Sequence, residues 1–217
     1  SSHFHPLVFL NITAKSHLHS TEGNTAGLTR TLDNRPIYYA LAFVQKKTSP
    51  SFQERRLAVS QGSDDADSTN GIGANQLEIR ASHTNTGGIR FQNVQIPNGT
   101  TIKLAYIVPL LFNNGPRSGT LQVWGEDSDN AATFSAGSLP NTRPKTGAST
   151  LGAWIISTNL VEVWKAFDVT AAIQEIAARP GWASGNAMAF LLESDVATKA
   201  WIWAYEVGGV FAARLII

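Results

Sequence analysis

The chain has 217 residues and a mass of 23.3 kDa, room for one large β-type domain or two small ones. With 17 Lys+Arg against 16 Asp+Glu, the net charge of +1 excludes bulk electrostatic attraction to nucleic acid or an anionic membrane. A 43% hydrophobic content and six Trp exclude disorder over the whole length, and the absence of cysteine removes disulfides, thiolate metal sites and cysteine nucleophiles together.

Charged residues make up 15%, against about 25% in an ordinary soluble domain. Ser, Thr and Asn number 51 in their place, a neutral, hydroxyl-rich surface that suits an extracellular or cell-surface protein. No apolar run approaches the ~20 residues that span a bilayer, so no membrane insertion is expected. No secretory leader opens the chain, although one is removed on maturation in secreted proteins.

In chain order, residues 1–57 form a basic, His-containing extension with a net charge of +4, and residues 58–217 carry −3. The extension holds strand signals at Pro6–Thr13 and Ile37–Gln45. Leu7, Phe9 and Ile12 lie in the first and are poorly suited to a solvated tail, so this strand needs a sheet to join, its own or a neighbour's. Asn11-Ile12-Thr13, like Asn98-Gly99-Thr100 further on, has the N-glycosylation acceptor pattern. Were Ser1 the mature terminus, its amine, two amide nitrogens and the His3 imidazole would make a square-planar site for Cu(II) or Ni(II); a solvated terminus is the ordinary alternative.

The body reads as strands at Asn75–Arg80, Gly88–Val94, Thr101–Phe112, Gly119–Glu126, Ala187–Glu193, Lys199–Val207 and Val210–Ile216, with Gly- and Asn-rich turns between them. Ile102, Leu104, Tyr106, Val108 and Leu110 alternate and share one strand face. One segment is helical: Asp168 is suited to the N-cap, Val169, Ala172, Ile173 and Ile176 follow at helical spacing, and Arg179-Pro180-Gly181 ends it. The pattern predicts an all-β, jelly-roll-like antiparallel β-sandwich with one short α-helix and an N-terminal strand-bearing extension.

Two acidic turns carry hard oxygen ligands. Asp64, Asp65, Asp67 and Asn70 lie in one, and Glu126, Asp127 and Asp129 in the other. Calcium takes six to eight such oxygens, which flexible loops provide; neither loop has the EF-hand spacing, and both also read as turns capped by their own Asp and Asn side chains. No motif requires a cofactor. Trp201, Trp203 and Tyr205 share one face of a predicted strand, an aromatic platform for sugar rings or a protein partner if outward, core if inward. There is no nucleophile elbow, phosphate loop, metalloprotease helix or dinucleotide fingerprint. His83 is the only histidine of the body, so no enzyme is expected.

Four stretches carry a wider likeness: Val59–Ala66, Gly88–Phe91 through Ile96–Ile102, Gly125–Phe134, and Ile173–Ile176 with Arg179–Ala187. In order and spacing, residues from about Arg56 to Ile217 resemble a β-sandwich module repeated in large secreted and cell-surface proteins of environmental bacteria. The resemblance implies an accessory module beside carbohydrate-binding, adhesive or enzymatic domains, with no activity of its own. Residues 1–57 and the run Trp201–Tyr205 depart from it.

These readings converge on a non-catalytic extracellular structural protein whose partner is itself. Its N-terminal strand would add to the neighbouring subunit and build a homopolymeric filament or surface layer. The alternative is a carbohydrate-binding or adhesion module using the aromatic platform, with glycans as partners.

Overall fold

The computed structural model describes residues 54–80, 85–113, 117–156, 161–194 and 199–217. All of them belong to the unit Pro50–Ile217. His3, Leu7, Phe9, Asn11 and Ile12, both strand signals of the extension, and His83 lie outside the described residues.

The strands in chain order are β1 (Arg56–Ala58), β2 (Asp65–Asp67), β3 (Gly71–Ile72), β4 (Gln76–Ile79), β5 (Gly87–Phe91), β6 (Tyr106–Val108), β7 (Leu110–Asn113), β8 (Arg117–Glu126), β9 (Lys145–Ile156), β10 (Val161–Trp164) and β11 (Phe167–Asp168). Helix α1 (Thr170–Ala177) follows, then β12 (Met188–Ser194), β13 (Ala200–Trp203) and β14 (Arg214–Ile216). Every pairing between them is antiparallel. One layer is a six-stranded sheet in the order β3-β2-β5-β12-β8-β9, and the other consists of two four-stranded sheets, β1-β14-β6-β11 and β4-β13-β7-β10. Apart from the consecutive pairs β2–β3 and β8–β9, neighbours within a sheet are not consecutive in the chain. This is the jelly-roll-like β-sandwich that the turn pattern predicts.

The second layer is split for a local reason. Strands β6 and β7 are one run of chain broken at Pro109, which has no N–H to give to a ladder. Opposite it, Lys165 between β10 and β11 donates its amide to the Pro109 carbonyl (3.1 Å). The two sheets of this layer are therefore one surface with a crease. The break also resets the alternation read from sequence. Residues 101–105 are irregular, and Tyr106 and Val108 point outward while Ile107 and Leu111 enter the core.

Between the layers lie Ile89, Phe91, Leu121, Val123, Trp154, Ile107, Leu111, Phe167, Phe190, Ile202 and Leu215, all buried. Phe91 and Phe190 meet edge to face, with centroids 6.0 Å apart at 64°, the arrangement favoured by ring quadrupoles. Central strand β12 is buried at all seven positions. Its even-numbered side chains Met188, Phe190 and Leu192 join the main core, whereas Ala187 and Ala189 join a second cluster with Ala66, Ala131 and Phe134. That second cover is the segment from Asp127 to Thr142, which folds back over the outer face of the six-stranded sheet. Phe134 and Thr133 both donate to the Ser63 carbonyl (3.0 and 2.9 Å), and Ala131 donates to Ala187 (3.0 Å). Gly88 makes room for it: a Cβ there would stand 2.5 Å from Phe134 Cζ.

Helix α1 begins as the sequence implies, though one residue later. Val169 occupies the cap position, and Asp168 Oδ1 accepts from the Thr170 amide (2.9 Å). Its buried residues are Ala172, Ile173, Ile176 and Ala177. Gln174 accepts from the Ile102 amide (2.8 Å) and Glu175 from those of Gly147 and Ala148 (2.9 and 2.8 Å). The helix thus ties the irregular 100–102 segment to the start of β9.

Truncating Phe190 removes a ring from the centre of the main core. Phe190→Ala is expected to lower stability by about 3–5 kcal/mol, read from urea unfolding; a loss under about 1 kcal/mol would show that this core is not the principal one.

Candidate ligand-binding face

Two outer faces compete for a functional role, and the strap over Ala66 and Ala189 largely closes one. Among the described residues, no strap crosses the outer face of the creased layer. Along β13 burial alternates, with Ala200 and Ile202 inward and Trp201 and Trp203 outward. The register sets Trp201 opposite Phe112 of β7 and Glu78 of β4, and Phe112 opposite Glu162 of β10. Trp203 stacks on Phe112 with centroids 3.7 Å apart and planes 6° apart, and Trp201 stacks on the same ring at 5.9 Å and 25°. The Trp203 indole reaches across β7 to donate from Nε1 to Glu162 Oε1 (2.8 Å). Arg117 lies over the Trp201 ring at 5.4 Å.

The row continues through Trp164 of β10, 40% exposed, with the Arg214 guanidinium 4.6 Å over its ring. Trp164, Arg214, Arg56, Val108 and Ile216 line an open cavity of about 450 Å³. The cavity straddles the crease, because Trp164 belongs to one sheet and the others to the second. Tyr205 does not extend this row. The strand ends at Trp203, and Tyr205 opens a 3-10 turn (Tyr205–Val207) that packs partly against the core. Phe112 and Trp164 were not singled out from sequence; only the register brings them beside Trp203.

On the same face Glu78 accepts from Lys199 (3.0 Å) and pairs with Arg80. Burial opposes its ionisation, but these two cations prevail and hold its carboxyl below the usual range.

The acidic turns are built around guanidinium and amide donors. Asp64 is buried, paired with Arg90 and bonded by Gln92 Nε2 (2.6 Å). Asp67 accepts from the amides of Thr69, Asn70 and Glu78 (2.8, 2.6 and 2.8 Å) and from Asn70 Nδ2 (2.8 Å), the turn-capping use of Asp. Glu126 forms a buried pair with Arg143 (2.8 Å), whose guanidinium also reaches the carbonyls of Ala132 and Thr133 (2.7 and 2.8 Å) and lies 4.3 Å over Phe134. Asp127 and Asp129 both pair with Arg179. The hydrogen bond that Arg179 donates to Asp129, with the charges of both carboxylates, raises the Arg179 pKa above its ordinary value. Among the described residues, no three or more His, Asp or Glu side chains converge as a metal site would require. Asn98 Nδ2, the atom a glycan would take, donates to the Arg179 carbonyl (2.6 Å).

Asp65 differs from the rest. Its Oδ2 accepts from the Tyr205 amide (2.8 Å), while Oδ1 is buried without a partner. Burial, with smaller contributions from the charges of Glu206 and Asp64, pushes its pKa up to about 8.

No protein-family model matches the chain, and no curated protein matches it. Among solved structures it is similar to the crystal structure of CBM28, a carbohydrate-binding module specific for non-crystalline cellulose. Identity is 7% and the TM-score 0.29, over 68% of this chain and 71% of that one. A likeness at that level carries no functional argument. No helix among the described residues is long and apolar enough to cross a membrane.

Two outcomes follow. Breaking the buried pair by Arg143→Ala leaves Glu126 charged and alone, and should cost about 3–5 kcal/mol in urea unfolding. Because the fold favours the protonated form of Asp65, its contribution is fully present below about pH 4 and is lost as pH rises through about 8. Asp65→Asn should therefore gain on the parent in melting temperature between those values, with the gap level above them. A gap that does not change with pH would show Asp65 to ionise normally.

Proposed function

We propose that this unit is a non-catalytic, extracellular carbohydrate-binding module that grips a glycan on the outer face of its creased layer. The observation that carries the reading is the arrangement of Trp203 and Trp164. Phe112 and Glu162 fix the partly buried Trp203 indole from one face and one edge, and a sugar ring would stack on the face that Phe112 does not take. Trp164 stands at the mouth of the cavity, 40% exposed. Sugar rings present flat patches of C–H to aromatic faces, and their hydroxyls take hydrogen bonds from groups such as the Arg56 and Arg214 guanidiniums. Held aromatic side chains lose little entropy on binding, which raises affinity without added contact. The exposed carboxylate of Glu162 supplies an acceptor between the two indoles.

The other reading, a self-assembling filament protein joined through Leu7, Phe9 and Ile12, turns on residues outside those described. No described feature favours that arm over the aromatic face.

The test is affinity electrophoresis through a panel of soluble polysaccharides, followed by titration calorimetry with the ligand that retards the protein. Trp203→Ala and Trp164→Ala should each weaken binding by about tenfold or more while leaving the melting temperature within a few degrees of the parent. Retardation that both variants retain in full would remove this face from consideration. Absence of retardation across the panel would overturn the carbohydrate reading itself.

A further inference from the structure

Strand β9 is the longest of the described strands and, among the described residues, lies at the edge of the six-stranded sheet, paired with β8 alone. Its side chains alternate, with Thr146, Trp154 and Ile156 buried and Ser149, Leu151, Ala153 and Ile155 exposed. Leu151 is 63% and Ile155 68% exposed. Among the described residues, the main chain of Ser149–Ile156 makes no hydrogen bond outside the β8 ladder. The ordinary protections of a sheet edge are absent here. From Thr146 to Val161 the sequence holds no charged residue and no proline, and the one irregularity of the β8–β9 ladder lies before Ser149, so Ser149–Ile156 run in continuous register with β8. An edge of this kind is a template for another strand.

The spacing indicates which strand. Leu151 and Ile155 lie symmetrically about Ala153, on the same face. If β9 meets a second β9 antiparallel across a two-fold axis at Ala153, Thr150–Ile156 pairs with its own copy. Leu151 then faces Ile155 of the other chain on both sides, and the small Ala153 side chains meet at the axis. Cross-strand aliphatic pairs of this kind are the unit of sheet stabilisation, and an uncharged edge meets an uncharged edge with no like charges opposed. A two-fold contact is isologous and closes at two subunits. We propose that β9 is a homodimer interface, in which a second copy of this chain adds its β9 to the edge and the two six-stranded sheets become one continuous sheet. This is independent of the glycan face, which lies on the opposite layer.

The test uses the full chain, which has no cysteine to interfere. Opposed Cα atoms in an antiparallel pair are about 4.5–5.5 Å apart, inside the range a disulfide spans. Ala153→Cys should form an intermolecular disulfide under mild oxidation. Ser149→Cys is the register control, since at about 3.4 Å per residue the two Ser149 positions would be ~27 Å apart and should stay unlinked. Light scattering should give a dimer for the parent and a monomer for Leu151→Lys/Ile155→Lys, whose circular dichroism spectrum should match the parent's because both positions are exposed in the single subunit, while its melting temperature should lose the concentration dependence that a dimer has. A parent that is monomeric at every concentration would overturn the proposal. So would a dimer that persists in the double-lysine variant, which would place the contact elsewhere, on the N-terminal segment for example. Equal linking of Ala153→Cys and Ser149→Cys would overturn the register and with it the two-fold pairing.

Discussion

A strand buried on both faces needs a cover on each side, and β12 takes its second cover from the loop that follows β8. Much of the described architecture answers to that need. The loop must cross the sheet, so Gly88 gives up its side chain to let Phe134 down. The loop must also hold its shape without a ladder of its own, and Arg143 supplies this by bonding the carbonyls of Ala132 and Thr133 while neutralising Glu126 beneath it. A guanidinium suits this position because it offers five donors in a fixed plane and stays charged when buried. Arg90 repeats the device nearby, joining Asp64 to the Ala131 carbonyl (2.7 Å). The acidic turns are thus anchors for a strap.

Among the described residues, the strap covers one face of the sandwich and leaves the opposite face to its own side chains. There the side chains are large, flat and clamped to one another. Phe112 is the pivot, because both Trp201 and Trp203 stack on it. The crease at Pro109 brings Trp164 toward this cluster from one side and the Arg56 and Arg214 side chains from the other, so the cavity exists because the sheet is broken. An unbroken ladder through position 109 would give a flatter surface.

The runs that became β4, β5, β8 and β12 were legible in the sequence because they are apolar and bounded by glycine- and asparagine-rich turns. So was α1, from its spacing and the Arg179-Pro180-Gly181 stop. Strand β9 was not, since Lys145-Thr146-Gly147-Ala148-Ser149-Thr150 reads as a loop by composition; its first half is held by β8 and by Glu175 rather than by its own propensity. Trp201 and Trp203 were found as a pair, but strand propensity could not show that the strand stops before Tyr205. The carboxylates were visible as clusters, whereas their partners were not. Arg90 is 26 residues from Asp64, Arg143 is 17 from Glu126, and Arg179 is 50 from Asp129. Ligand spacing counts oxygens along the chain, and it misses cations that arrive through the fold.

The pairing of β1 with β14 has a mechanical consequence. Arg56 faces Ile216, and Arg55 and Ile217 exchange two main-chain hydrogen bonds (2.8 and 2.9 Å), so the two ends of the unit leave it side by side. Tension applied between residues 55 and 217 would load those bonds one after another, as in peeling, whereas strands pulled from opposite ends share the load in shear. Under such a load the first bonds to give way would be those at this seam, ahead of the β14–β6 ladder that holds Leu215 in the core.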